Sequence, residues 1–116
     1  MAIMIFRGDV SPQTAVSQIK QQFPSTGLSV ELVDEAHKLM NGSEAHLLVF
    51  EKYFYRVKNR VSLSLMITHE NGVTDIHAIG SGAGQGAIFN FGWGSEESLV
   101  SSFASMIVDL GFNRIA

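Results

Sequence analysis

The sequence predicts an α+β two-layer sandwich, an antiparallel sheet of five or six strands with two helices on one face. Three observations predict it. Two Asn-Gly pairs, at 41–42 and 71–72, each sit between runs with strand character, which is the strongest short-range sign of a hairpin. Two stretches with helical apolar spacing open at Ser11-Pro12 and at Ser95. The 116 residues, 46% hydrophobic and 16% charged, suit one globular domain over 1–116, too short to hold separate cofactor and substrate domains.

Met1 to Phe6 is a continuous apolar run that reads as a first strand buried on both faces. Ser11 is placed to cap the next helix, and Pro12 at its first position gives up an N–H that has no partner there. Val16, Ile19 and Phe23 follow at helical spacing beside Ala15, and Pro24 ends the helix, giving a span from Pro12 to Phe23. From Leu28 the period becomes two, through Val30 and Leu32, and a strand continuing to Met40 is expected. A short helix over 33–40 is the alternative, because Val33, Ala36 and Leu39 or Met40 also fit helical spacing.

Glu44 to Arg56 reads as a strand with both faces largely apolar. The next strand alternates cleanly, with Val61, Leu63, Leu65 and Ile67 on the core side and Ser62, Ser64, Met66 and Thr68 opposite. A two-residue Asn71-Gly72 loop then fixes the register: Ile67 faces Ile76, Leu65 faces Ala78, Leu63 faces Gly80 and Val61 faces Gly82. The core side of that strand shrinks from Ile to Ala to Gly, which leaves room for a helix or a ring. Phe89, Phe91 and Trp93 alternate in a short extended segment. Ser95 caps a last helix with Glu96 and Glu97 in its first turn and a stripe of Leu99, Val100, Phe103, Met106, Ile107 and Leu110. Gly111 is placed as its C-terminal cap, with Phe112 folding back on Ile107. The resulting β-α-β4-α order resembles the layout of TATA-box-binding-protein-like folds, a likeness that carries no function.

Composition excludes much chemistry. With no cysteine there is no disulfide, thiolate metal site, iron–sulfur cluster or cysteine nucleophile. Eight basic against 11 acidic residues give no general attraction to nucleic acid or anionic membrane. The opening MAIMIF run is broken by Arg7, Gly8 and Asp9, and no stretch reaches the roughly 18 apolar residues of a membrane span. A cytoplasmic protein without cofactor is the expectation.

Gly80 to Ser95 holds six of the eleven glycines and the one tryptophan. Its Gly82-Ala83-Gly84-Gln85-Gly86-Ala87 matches the letters of a dinucleotide fingerprint, but the helix that must open there is replaced by alternating aromatics. A backbone nest for a small anion is the functional reading of that loop, and a turn carrying aromatics to the core is the structural one. Half of the basic residues, Lys52, Arg56, Lys58 and Arg60, lie among Tyr53, Phe54 and Tyr55. Glu51 in the same stretch and the negative net charge favour a solvated turn over a nucleic-acid surface.

His69 and His77 fall on opposite sheet faces and share no metal. His37 and His46 stand directly opposite if Asn41-Gly42 is a two-residue loop, yet two ligands without a third make no metal site. No serine lies in a G-x-S-x-G elbow and no carboxylate pair has catalytic spacing. Ser81 with Glu51 as base is the one nucleophilic pair on offer, so the sequence leans toward a non-catalytic chain and leaves an enzyme using the glycine-rich loop as the third and least supported reading.

With Glu31-Leu-Val-Asp-Glu35, Val49-Phe-Glu-Lys-Tyr53, Asn59-Arg60 before Ser62-Leu63, and Gly80-Ser-Gly-Ala-Gly-Gln-Gly86 running into Phe89, Phe91, Trp93 and Gly94, the chain resembles a small family of uncharacterised bacterial proteins. That family is a domain of unknown function found mostly in Gram-positive anaerobes, and the likeness spans about two thirds of the chain. It implies no reaction, but it implies that Glu51, Lys52, Asn59, Arg60, Gln85 and Trp93 share a site or an interface. Two readings compete. In one, the apolar open face of the third strand pairs with a second subunit as a homodimer. In the other, a small anionic metabolite sits at Gly82, Gly84, Gln85 and Gly86 against Arg60 or Lys52, with Glu51 and Trp93 alongside.

Overall fold

The computed structural model describes residues 2–25, 30–54, 58–82 and 95–116. Strand β1 (Ala2–Gly8) is followed by helix α1 (Pro12–Gln22) and a 3-10 turn (Phe23–Ser25). Strands β2 (Val30–Met40), β3 (Ser43–Phe54), β4 (Asn59–Glu70) and β5 (Val73–Gly82) come next, then helix α2 (Ser95–Asp109) and a two-residue strand β6 (Asn113–Arg114). The six strands form one antiparallel sheet in the order β2-β3-β4-β5-β1-β6. The closing strand β6 was not expected from the sequence, since two residues carry no readable period.

Turn chemistry sets the register. Asn71 and Gly72 both take positive φ, 53° and 78°, the backbone that a two-residue hairpin loop demands. Val61 therefore faces Gly82, Leu63 faces Gly80, Leu65 faces Ala78 and Ile67 faces Ile76, as the sequence reading counted them. At the other hairpin Met40 pairs with Ser43, so β2 is a strand through residue 40 and the helical alternative is set aside. A β-bulge between Leu32 and Asp34 leaves Val33 as the extra residue.

The helix ends follow local chemistry. The Ser11 hydroxyl accepts the Thr14 N–H at 3.1 Å with Pro12 behind it, and α1 runs from there. Helix α2 ends in a Schellman arrangement: Gly111 at φ 114° donates to the Val108 carbonyl at 3.1 Å, and Phe112 donates to the Ile107 carbonyl at 3.2 Å. Phe112 is thereby turned inward and buried, while the chain end runs back beside β1 through the Ile115 N–H to the Ile5 carbonyl at 2.8 Å.

The core lies on one face of the sheet. Phe6, Leu48, Phe50, Val61, Leu63, Leu65, Ile67, Ile76 and Ala78 meet Ala15, Ile19 and Phe23 from the α1 side and Val100, Phe103, Met106 and Ile107 from α2. Phe103 stands edge-on to Phe6 at 5.9 Å and to Phe23 at 5.6 Å, and Phe23 stands edge-on to Phe50 at 5.0 Å, so one aromatic chain ties both helices to the sheet. Because both helices sit on this side, the expected two-sided burial of the first strand does not occur: Phe6 is buried, whereas Ile3 is 54% exposed on the other face.

Candidate functional site

Strand alternation decides which side chains stand opposite the helices. On that face, which no described element covers, Ile3 pairs with Ile79, Ile5 with His77, His77 with Met66 and Met66 with Leu47, in neighbouring rows across β1, β5, β4 and β3. Leu47, Met66, Ile79 and Ile3 are all exposed large apolar residues. Scattered apolar side chains are ordinary on a surface, but neighbours in register form a patch, and patches mark contact sites.

Charged groups frame the patch. At one end Arg7 lies across from Asp75 and grips it with two hydrogen bonds, Nε to Oδ1 at 2.7 Å and Nη2 to Oδ2 at 3.0 Å. The guanidinium holds the Asp75 carboxyl below its ordinary range, and the carboxylate in turn raises Arg7. At the other end Arg60 lies 3.3 Å from the Glu51 carboxylate, 3.8 Å from that of Glu31 and over the Tyr53 ring at 5.9 Å from its centre.

Of the residues singled out in the sequence, Glu51 and Arg60 are thus brought together on the open face. Lys52 points the opposite way, to the helix side, in one row with Val30, Val61 and Gly82. Arg60 and Lys52 therefore cannot serve one ligand on one face, and the two cations offered for an anion are separated by the sheet itself. Gly84, Gln85, Gly86 and Trp93 lie outside the described residues, as do Arg56 and the Phe89–Phe91 segment. Ser81 and Glu51 share a face, but Ser62 of β4 stands between them, each pairing with it. Two strand spacings, about 9.5 Å, are too far for a nucleophile and its base.

A second feature escaped the sequence reading. Under the sheet, Gln13, Val16, Ser17, Lys20 and Gln21 of α1 line an open groove of about 510 Å³ with His46. Beside it Gln13 Nε2 donates to both Glu44 oxygens at 3.0 and 3.2 Å, and His46 Nε2 lies 2.8 Å from Glu44 Oε1. The hydrogen bond from His46, then that from Gln13, holds the Glu44 carboxyl below its ordinary value against an opposing effect of desolvation. The signal was a helix-face glutamine and a Glu-x-His alternation, and it needs the helix position to be read.

His37 and His46 do stand opposite each other, their rings stacked 5.7 Å apart. Among the described residues no group of three or more His, Asp or Glu is placed to hold a metal ion. His69 is structural: buried Thr74 donates its hydroxyl to the Val10 carbonyl at 2.6 Å, so it accepts at 2.8 Å from His69 Nδ1, which must carry the proton. Among the described residues no helix is long and apolar enough to cross a membrane.

These features define a small α+β domain with helices on one side of an antiparallel sheet and an apolar, charge-framed face on the other. The chain belongs to a family of unknown function, DUF6054, whose model matches residues 1–111. No curated protein matches it.

Proposed function

We propose that the chain is a non-catalytic interaction domain that pairs with a second copy of itself through its sheet. One observation carries this reading: large apolar side chains stand exposed in register where no described element covers them, Ile3, Leu47, Met66 and Ile79 on the open face and Val33, Leu39 and Met40 on β2. Leaving these in water forfeits the free energy that their burial would supply, and a second subunit recovers it. Sedimentation velocity at about 100 µM tests it, a weak-dimer concentration. A species of twice 12.7 kDa supports the proposal, and a clean monomer refutes it.

A small anion is the second reading, and one observation narrows it. Lys52 shares its face and row with Gly82, from which the glycine-rich stretch departs, whereas Arg60 projects from the opposite face of the sheet. Lys52, not Arg60, is the cation for any site at Gly82, Gly84, Gln85 and Gly86. A phosphate-induced thermal shift lost in Lys52→Ala supports this reading, and a shift unchanged in that variant removes it.

A further inference from the structure

Self-pairing through the sheet leaves open which surface makes the contact, and the free edge of β2 answers it. This strand ends the sheet, with no partner on its outer side among the described residues, and every residue from Val33 to Met40 is exposed. Long exposed edges invite pairing with another strand. Backbone geometry limits how. The two-residue loop makes Met40 and Ser43 a hydrogen-bonded pair, so Asp34, Ala36, Lys38 and Met40 turn their backbone groups toward β3. Glu35, His37 and Leu39 then turn theirs outward. The Glu35 N–H agrees with this, donating to the adjacent Asp34 Oδ1 at 2.8 Å.

A second β2 strand, antiparallel and related by a two-fold axis, must set outward residues against outward residues. Three registers near the middle of the exposed stretch satisfy that condition. Centring on Glu35 opposes Glu35 to itself, and centring on His37 opposes His37 to itself and Asp34 to Met40. Centring on Ala36 opposes Asp34 to Lys38, Glu35 to His37 and Val33 to Leu39, each twice by symmetry. The order Val-Asp-Glu-Ala-His-Lys-Leu over 33–39 is therefore its own complement when reversed: apolar, acid, acid, small, imidazole, base, apolar. Edge protection needs charges but has no need for this antisymmetry.

We infer that β2 pairs with β2 of a second copy in the register centred on Ala36, making one continuous 12-stranded sheet from two sheets of six. The Glu35 N–H passes to the partner's backbone, which releases the Asp34 carboxylate to meet the partner's Lys38 on the open-face side. Small Ala36 at the axis leaves room for both charge pairs. Because matched residues share a face, the two apolar open faces lie side by side as one joined patch that the edge contact itself leaves exposed, and the helices of both copies stay on the other side.

This inference rests on self-association and names its surface, so the experiment separates the two. Asp34→Lys alone and Lys38→Asp alone each turn two attractive cross-strand pairs into repulsive ones, and each is expected to weaken the dimer on the order of tenfold or more. An equimolar mixture of the two variants restores dimer, as a heterodimer with every charge matched, which no misfolded variant would do. The chain has no cysteine, so Ala36→Cys gives an unambiguous second readout. At the axis its two thiols face each other across Cα atoms about 4.5 Å apart and cross-link on mild oxidation. Leu39→Cys, displaced six residues from its symmetry mate and about 20 Å away, does not. Charge variants that dimerise like the wild type overturn the edge contact. If Met66→Asp then abolishes the dimer, self-association stands and the open face makes it, whereas a monomeric wild type removes both proposals.

Discussion

Phe103→Ala tests whether one aromatic chain fixes both helices to one side of the sheet. Phe103 has no exposed surface, and its ring stands edge-on to Phe6 at 5.9 Å and Phe23 at 5.6 Å, the first from the sheet and the second from the end of α1. Truncating a buried phenylalanine costs about 3–5 kcal/mol in transfer and cavity terms. Loss of two edge-on ring contacts, at about 0.5–1.5 kcal/mol each, places this site at the upper end of that range. A domain of this length has a total stability of roughly 6–17 kcal/mol, so the variant remains folded but loses a large part of it. Urea unfolding followed by circular dichroism is the assay, with a lower midpoint and an unchanged slope expected. Phe103→Leu retains much of the volume and is expected to lose about half as much. A loss under about 1 kcal/mol for the alanine variant would mean that the helices are held independently and that the ring contacts carry no joint energy.

Gly8→Ala brings a methyl to 3.0 Å from the Gly111 carbonyl oxygen and from the Phe112 ring; a backbone oxygen cannot yield, so a loss of about 1–3 kcal/mol in urea unfolding is expected. Glu44 titrates below its ordinary 4.5 in the folded chain, so its contribution is present above the unfolded value and is lost as pH falls through the depressed folded one; the stability gap between wild type and Glu44→Gln should close over that acid window. Arg60→Ala removes an exposed cation shared by Glu31 and Glu51, and its unfolding free energy should stay within about 1 kcal/mol of wild type, with any phosphate-induced thermal shift unaffected.

Legibility followed the range of the physics. The 71–72 hairpin and every pair counted from it were readable, because two adjacent residues fix the turn and the turn fixes the ladder. Caps at Ser11 and Gly111 were readable for the same local reason. The face of β1 was not: a run such as Ile3-Met4-Ile5-Phe6 looks equally buried on both sides until it is known that both helices pack under Phe6 and none over Ile3. At the candidate site Glu51 and Arg60 stand together on the open face, while Lys52, one residue along the strand, stands on the other. Strand alternation already sets Glu51 and Lys52 on opposite faces in the sequence; which of those faces the helices cover is what the sequence does not show.

Strand order explains why the edge surface exists at all. Strand β2 ends the sheet, and α1 reaches its 33–40 half through the Lys20–Glu35 ion pair at 2.9 Å. That half is exposed on both faces, and nothing within the folded chain gains from Leu39 being 69% exposed there. Stability alone would accept any soluble strand sequence at that place, lysines and threonines included. The sequence instead puts acids before Ala36, an imidazole and a lysine after it, and apolar residues outside both. Only the last of these features lowers solubility, and only pairing with a reversed copy makes all three favourable together. The overhang is thus the part of the chain whose side-chain order, beyond the Lys20–Glu35 ion pair and the His37–His46 stack, is matched by a reversed second copy.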